Sequence, residues 1–225
     1  MSTLKVNESP KLIIFSDFDG TITLQDTGII LIDEYLTTVV RKELDDKIFT
    51  KTMAQRDVFK KMWNSVTCDW EMCKLKLKDV ELDPYFSKFY QYTQAKSIPF
   101  TILSSGFTQI IDWFLENNLK EFNSKVAANE GIYTEKGFWD VKFYDDSEYG
   151  HDKALTIKKI KENYPSSKVL FIGDGVSDIM ACSQSDFIFA KKSKDLAKYC
   201  TLNNIQFTEF EDFGEIESWL DNYLN

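Results

Sequence analysis

Histidine and arginine are almost missing from this sequence: His151 stands alone, and only two arginines occur among 225 residues. One histidine cannot build a His-rich zinc site, and no Ser-Asp constellation accompanies it, so it does not read as an activator of a nucleophile. The four cysteines, Cys68, Cys73, Cys182 and Cys200, form no C-x-x-C pair. Zinc and a disulfide framework are therefore disfavoured, and the thiols read as reduced packing groups. Positive charge is outnumbered, with 27 Lys and Arg against 36 Asp and Glu. A net charge of -9 argues against nucleic acid or an anionic membrane as partner, because both draw affinity from clustered Lys and Arg. Any anionic ligand must then be attracted locally. No run approaches the roughly 18 to 20 apolar residues that span a bilayer, and the N-terminal MSTLKVNESPKL lacks the apolar centre of a secretory leader. The expectation is a cytoplasmic protein.

What is abundant is material for a core. Hydrophobic residues make up 43% of the chain, with 18 Phe, which excludes disorder. KLIIFS (11 to 16), IPFTILSS (98 to 105), KVLFIGDG (168 to 175) and SDFIFAK (185 to 191) are short apolar runs, each followed by small polar residues and, in most, a helical pattern. They read as parallel strands buried on both faces, and in open α/β sheets the carboxyl ends of such strands carry the ligand crevice. Between the first two, GIILIDEYLTTVV, MAQRDVFKKMWNSV and WEMCKLKLKDV show helical spacing. The stretch far exceeds an ordinary βα loop, so residues 26–92 are expected to form an inserted α-helical cap, with 1–25 and 93–225 as the core. NEGIYTEKGFWDVKFY reads as a hairpin turning near Glu135 to Gly137. A helix is expected from Asp152 to Pro165, and the tail as helix (Ser193 to Leu202), strand (IQFTEF) and helix (Glu215 to Leu224). The fold class is α/β, a Rossmann-like parallel sheet with a helical insertion.

The stretch IIFSDFDGTITL places Asp17 and Asp19 two residues apart at the end of the first strand. Two carboxylates about 5 Å apart repel by roughly 3 kcal/mol at an effective dielectric of about 20. Shared protonation, a cationic side chain or a divalent metal can compensate. GDGVSD adds Asp174 at another strand end and Asp178 one helical turn beyond it. Each alone suits a turn or helix cap. Converging at one sheet edge, the four make an oxygen-only site suited to Mg²⁺ rather than zinc.

DFDGT (17 to 21), ILSSG (102 to 106), Lys153 in GHDKALTI and GDGVSD (173 to 178) together resemble the haloacid dehalogenase-like hydrolase superfamily, over nearly the whole chain. The acid at position 19 is similar to the phosphatase and phosphomutase type. The insertion after the first motif resembles the mobile cap of the phosphoserine phosphatase-like branch. The segments EYGHDKALTI, GDGVSDIMA and FAKKSKDLAKYC look closest to fungal polyol-phosphate phosphatases, and more distantly to methionine-salvage enediol-phosphate phosphatases.

The resemblance implies an aspartyl-phosphate on Asp17, with Asp19 as acid and then base. It implies Mg²⁺ held by Asp17, the Asp19 carbonyl and Asp174, with Asp178 a direct or water-mediated partner. Ser104, Ser105 and Gly106 would receive the phosphoryl oxygens, although Ser105 stands where many relatives carry Gly and Ser104 alone suits a helix cap. Lys153 would bridge nucleophile and phosphate. Asp26 reads either as a substrate contact or as a hinge cap, Arg56 as an anion or hydroxyl contact or a surface ion pair, and His151 as a substrate contact or a loop residue. The expected partner is a small phosphate ester, polyol or sugar phosphate first, then phosphoserine or an enediol phosphate. A phosphotransferase or mutase, or a binding module without turnover, are the readings from other classes.

Overall fold

The four residues Leu12 to Phe15 are apolar, and every residue of β1 (Leu12–Ser16) is buried, as a central strand with helices on both faces requires. The computed structural model describes residues 9–119 and 121–225; the first eight residues lie outside these. After β1 come α1 (Thr27–Phe49), α2 (Gln55–Trp63), α3 (Trp70–Leu77) and α4 (Phe86–Ala95). Then follow β2 (Phe100–Phe107), α5 (Thr108–Asn118), β3 (Lys125–Tyr133), β4 (Trp139–Lys142), α6 (Lys153–Lys161) and β5 (Lys168–Gly173). The chain ends with α7 (Ile179–Cys182), β6 (Phe187–Lys191), α8 (Asp195–Leu202), β7 (Thr208–Phe210) and α9 (Phe213–Leu224).

The strands form one sheet in the order β4-β3-β2-β1-β5-β6-β7. All neighbours are parallel except β3 and β4, the expected hairpin, in which Tyr133 faces Trp139. Numbering runs outward from β1 in both directions, so the topological switch lies between β1 and β5. Their register sets Ser16 beside Ile172, and the Asp17 N–H donates to the Ile172 carbonyl at 2.8 Å. Strand periodicity divides the core. Leu12, Ile14, Ile102, Leu170 and Ile172 face α4, α5 and α9, while Ile13, Phe15, Leu103, Val169 and Phe171 face α6, α7 and α8.

The helices after β1 pack as two groups. Phe86, Phe89 and Tyr90 of α4 lie against Phe100, and the first two also against Phe213. The expected boundary at residue 92 thus falls inside α4, whose apolar face belongs to the sheet layer. The helices α1 to α3 instead meet the β2 end and the hairpin: Trp63 lies 4.0 Å from the Phe107 ring, and Trp139 Nε1 donates to the Cys68 carbonyl at 2.8 Å. Within α1 the backbone breaks at Thr37 (φ 63, ψ 149), a conformation that a β-branched residue rarely adopts. The run Thr37-Thr38-Val39-Val40 is poor in helix formers, and α1 is kinked at this point. Among the described residues, no helix is long and apolar enough to cross a membrane.

Candidate active site

The switch point gathers the acids. Oxygens of Asp17, Asp174 and Asp178 all lie within 4.8 Å of one another, because β1 and β5 are adjacent and each is followed at once by an Asp. Lys153, at the start of α6 and fully buried, donates to Asp17 Oδ1 and Asp178 Oδ1, both at 2.6 Å. Asp152 caps α6 by accepting from the Leu155 N–H at 2.9 Å, which fixes where the lysine emerges. The other oxygen of Asp178 accepts from the N–H groups of Asp174 and Gly175 at 3.0 and 2.9 Å, so this side chain shapes the loop that carries Asp174.

One buried ammonium does not balance three carboxylates. Burial, followed by the charge of Asp178, holds Asp17 well above the ordinary carboxylate range against the pull of Lys153. Asp174 is pushed up to about 7, again by burial and then by Asp178; Lys194 reaches it only at 3.8 Å and is half-exposed. Such a desolvated, oxygen-only, electron-rich set fits a hard divalent cation. The Asp17 and Asp174 carboxylates are the groups that would hold it, while Lys153 stays bonded to Asp17 and Asp178. Gly20 keeps the approach tight. It adopts φ 74, and a Cβ there would stand 2.4 Å from Asp174 Oδ2, so the turn after Asp19 closes directly over the second acid.

Asp19 points elsewhere. Its Oδ1 accepts from the Thr27 N–H at 2.9 Å and the Thr27 hydroxyl at 2.5 Å, at the first residue of α1. Burial and the nearby charge of Asp26 push this carboxyl up to about 7, against the two bonds from Thr27. Asp26 is the α1 N-cap, accepting from the Ile29 N–H at 2.8 Å, and it also lines the cavity above the acids. Ser104, Ser105 and Gly106 line the opposite wall. They sit where the β2–β3 register shifts between Leu103 and Phe107, a bulge that turns the strand end toward the site. The Gly106 N–H donates to Ser104 Oγ at 2.9 Å, and a Cβ on Gly106 would lie 2.7 Å from Asp19 Oδ2.

Two sequence-derived candidates stay out of this cavity. Arg56 lies 4.7 Å over the Phe143 ring and donates to the Ser147 carbonyl at 3.0 Å; its own N–H donates to the Glu148 carbonyl. The start of α2 is thereby clasped to the 145–150 loop, and among the described residues the guanidinium makes no ion pair. His151 is buried behind Ser104, with Nδ1 at 2.8 Å from the Ser104 carbonyl and Nε2 at 3.2 Å from Thr156 Oγ1. Burial pushes its pKa down to about 4, which makes it a neutral strut for the β2 end.

A family model for haloacid dehalogenase-like hydrolases matches residues 14–182, three quarters of the sequence. The chain belongs to that family. Among curated relatives of this hydrolase, Pdp3-interacting factor 1 of Schizosaccharomyces pombe is 38% identical over 217 residues, covering 93% of this chain and 94% of the relative. Polyol phosphate phosphatase PYP1 of Saccharomyces cerevisiae is 31% identical over 224 residues, covering 92% and 91%. A solved phospho-aspartyl intermediate analogue of phosphoserine phosphatase superposes with a TM-score of 0.70 at 18% identity, covering 94% of this chain and 99% of that one. At that identity the likeness is one of fold.

The cavity of this hydrolase, about 390 Å³, also contains residues that the sequence did not single out. Arg41 and Asp45 on the second half of α1 line it, together with Lys194 and Ile32. The i, i+4 spacing of Arg41 and Asp45 is a visible signal for an ion pair; their arrival at the site depends on the break at Thr37, for which the sequence offered only weak helix formers.

Proposed function

We propose that the chain, a phosphatase of the haloacid dehalogenase-like family, hydrolyses small hydroxyl-rich phosphate monoesters, polyol or sugar phosphates, through an aspartyl-phosphate on Asp17. The observation that carries this reading is the division of labour between Asp17 and Asp19. One carboxylate is fixed by Lys153 among the acids of the switch point, and the other is withdrawn onto Thr27 with a pKa near neutrality, about 7. A single carboxylate cannot serve both as an ionised nucleophile and as a proton donor.

In the first step an Asp17 oxygen forms a bond to phosphorus, the bond from phosphorus to the ester oxygen breaks in line, and Asp19 delivers its proton to that oxygen. In the second, Asp19 takes a proton from water, which attacks phosphorus, releases inorganic phosphate and restores the Asp17 carboxylate. Lys153 lies against Asp17 throughout and offsets charge on the phosphoryl oxygens. The Ser104 hydroxyl, which accepts from the Gly106 N–H and keeps its own proton, provides a further donor beside them. Mg²⁺ held by Asp17, Asp174 and the Asp19 carbonyl would supply the remaining positive charge and let an anionic ester approach. The helices α1 to α3 act as a cap that limits bulk water during transfer. Asp19 is tied to α1 through Thr27, so the acid and the cap are mechanically connected.

A panel of phosphate esters tests this reading, with and without Mg²⁺, each ranked by kcat/KM with inorganic phosphate as product. Metal-dependent release, fastest with polyol or sugar phosphates, is the expected result. Transfer of the phosphoryl group to an added sugar hydroxyl in place of water would instead identify a phosphotransferase.

A further inference from the structure

Above the catalytic acids, the α1 wall of the cavity carries an ion cluster that catalysis does not use. On a straight helix Arg41 would lie about 12 Å along the axis from Asp33. The break at Thr37 redirects the second half of α1, and Arg41 grips Asp33 with Nε to Oδ1 at 2.5 Å and Nη2 to Oδ2 at 3.3 Å. Its Nη1 donates to Asp45 Oδ2 at 2.8 Å. Thr38 Oγ1 secures Asp33 from the other side at 2.9 Å. Arg41 and Asp45 line the cavity, whereas Asp33 stands behind them.

The charge balance of this wall selects among leaving groups. Arg41 faces two carboxylates already, and Lys194, half-exposed, lies 3.8 Å from Asp174 beside the catalytic acids. Among the described residues, the Arg41 cluster therefore offers no uncommitted cation to a second anionic group, and Asp26 and Asp45 would repel one. Hydroxyls are different. They donate to the Asp45 carboxylate and accept from the guanidinium N–H groups that remain after three bonds of five. Ile32, Val58 and Met62 line the same cavity and suit a carbon skeleton.

We propose that Arg41 and Asp45, held by Asp33, form the specificity-determining pair of this site, reading the hydroxyls of an uncharged polyol chain and rejecting phosphate esters whose leaving group carries a carboxylate. The inference rests on the phosphatase reading above and deepens it.

The test compares kcat/KM for a four- to six-carbon polyol phosphate, for phosphoserine and for an aryl phosphate that has no aliphatic hydroxyls, in wild type, Asp45→Ala and Asp45→Asn. Wild type is expected to favour the polyol ester over phosphoserine. In Asp45→Ala one acceptor is lost and Arg41 is released from one carboxylate, so the polyol to phosphoserine ratio falls by about tenfold or more, with a gain for phosphoserine in absolute terms. A cap that is merely damaged does not gain a substrate. Asp45→Asn keeps the size and one acceptor, and it recovers part of the polyol preference; it also serves if the alanine variant fails to fold. A ratio unchanged in both variants, or a wild type that prefers phosphoserine, overturns the proposal. A wild type that hydrolyses the aryl phosphate without favouring polyols overturns it too, whereas a wild type inert to all three overturns the phosphatase reading itself.

Discussion

Asp19 Oδ1 accepts two hydrogen bonds from Thr27, one from its N–H at 2.9 Å and one from its hydroxyl at 2.5 Å. Both favour the ionised carboxylate, and they work against burial and Asp26, which together hold Asp19 at about 7. Thr27→Val removes the hydroxyl and keeps the shape of a residue only 2% exposed. With one stabilising bond gone, the pKa of Asp19 rises. Protonated Asp19 is required when the ester bond breaks, so the alkaline limb of the kcat/KM profile should move to higher pH by about one unit. At neutral pH kcat should fall, because a less ionised Asp19 is a poorer base for the second step. A pH-rate profile of the variant decides the matter; an unmoved limb would separate Thr27 from the acid.

Removing the nucleophile and removing the metal give distinct signatures. Asp17→Asn should reduce phosphate release by at least about a thousandfold, while circular dichroism and the unfolding midpoint show a folded chain, because the change also removes one of three crowded carboxylates. Mg²⁺ should raise the unfolding midpoint of the wild type. Binding to the native state alone adds about 2.7 kcal/mol at a metal concentration one hundred times Kd. Asp174→Asn should abolish that increment, and a chelator should reverse it in the wild type. An Asp174→Asn protein that keeps the full increment would show that the ion binds elsewhere.

The parts of the site that lie at strand ends were legible from sequence, for a physical reason. β1, β2 and β5 are buried on both faces, so they stand out as apolar runs, and the polar residue that ends each run is delivered to one edge of the sheet. Asp17, Ser104 and Asp174 are all of this kind. Lys153 was legible through the resemblance that GHDKALTI carries, at the start of an expected helix. Arg41 was not, because its place depends on a backbone break at Thr37 that helical spacing of Ile30, Leu31 and Leu36 conceals. Arg56 drew attention as a scarce arginine on the insertion, yet the 145–150 loop, distant in sequence, supplies its carbonyl partner. The edge of the insertion was blurred similarly: α4 has the same helical pattern as its neighbours, and only the Phe100 and Phe213 rings assign it to the sheet layer.

Gly106 is held to glycine by proximity rather than by backbone conformation. A methyl group there would meet Asp19 Oδ2 at 2.7 Å and Ser104 Oγ at 3.1 Å, both closer than ordinary contact. Gly106→Ala should therefore displace the acid and the hydroxyl together. The expected result is a fall in kcat of about tenfold or more, with a small change in the unfolding midpoint, since the crowded atoms are at the rim of the cavity and not in the core. A variant with wild-type kcat would mean that Asp19 has room to move without loss.

His151 makes the stability of the fold sensitive to mild acid. The ring is 2% exposed, tilted against Tyr144 with centroids 4.4 Å apart, and bonded to the Ser104 carbonyl and Thr156. Burial outweighs the help that Ser104 and the charges of Asp145 and Asp152 give to the imidazolium, so the pKa drops from 6.5 to about 4 on folding. The unfolded chain therefore binds the proton more readily, and stability falls as pH drops below about 6.5. By pH 5 the loss is about 2 kcal/mol, and it levels off near 3 kcal/mol once pH is below about 4. Carboxyls whose pKa is raised in the fold, Asp17, Asp19 and Asp174, contribute with the opposite sign over this range, so the wild-type curve alone does not isolate the ring. The measurement is a difference: urea unfolding of wild type and His151→Asn at pH 7.5 and pH 5. The variant keeps a short polar side chain but has no proton to gain, and it should lose less stability between the two conditions by about 2 kcal/mol. Equal losses in the two proteins would show that His151 is not held neutral.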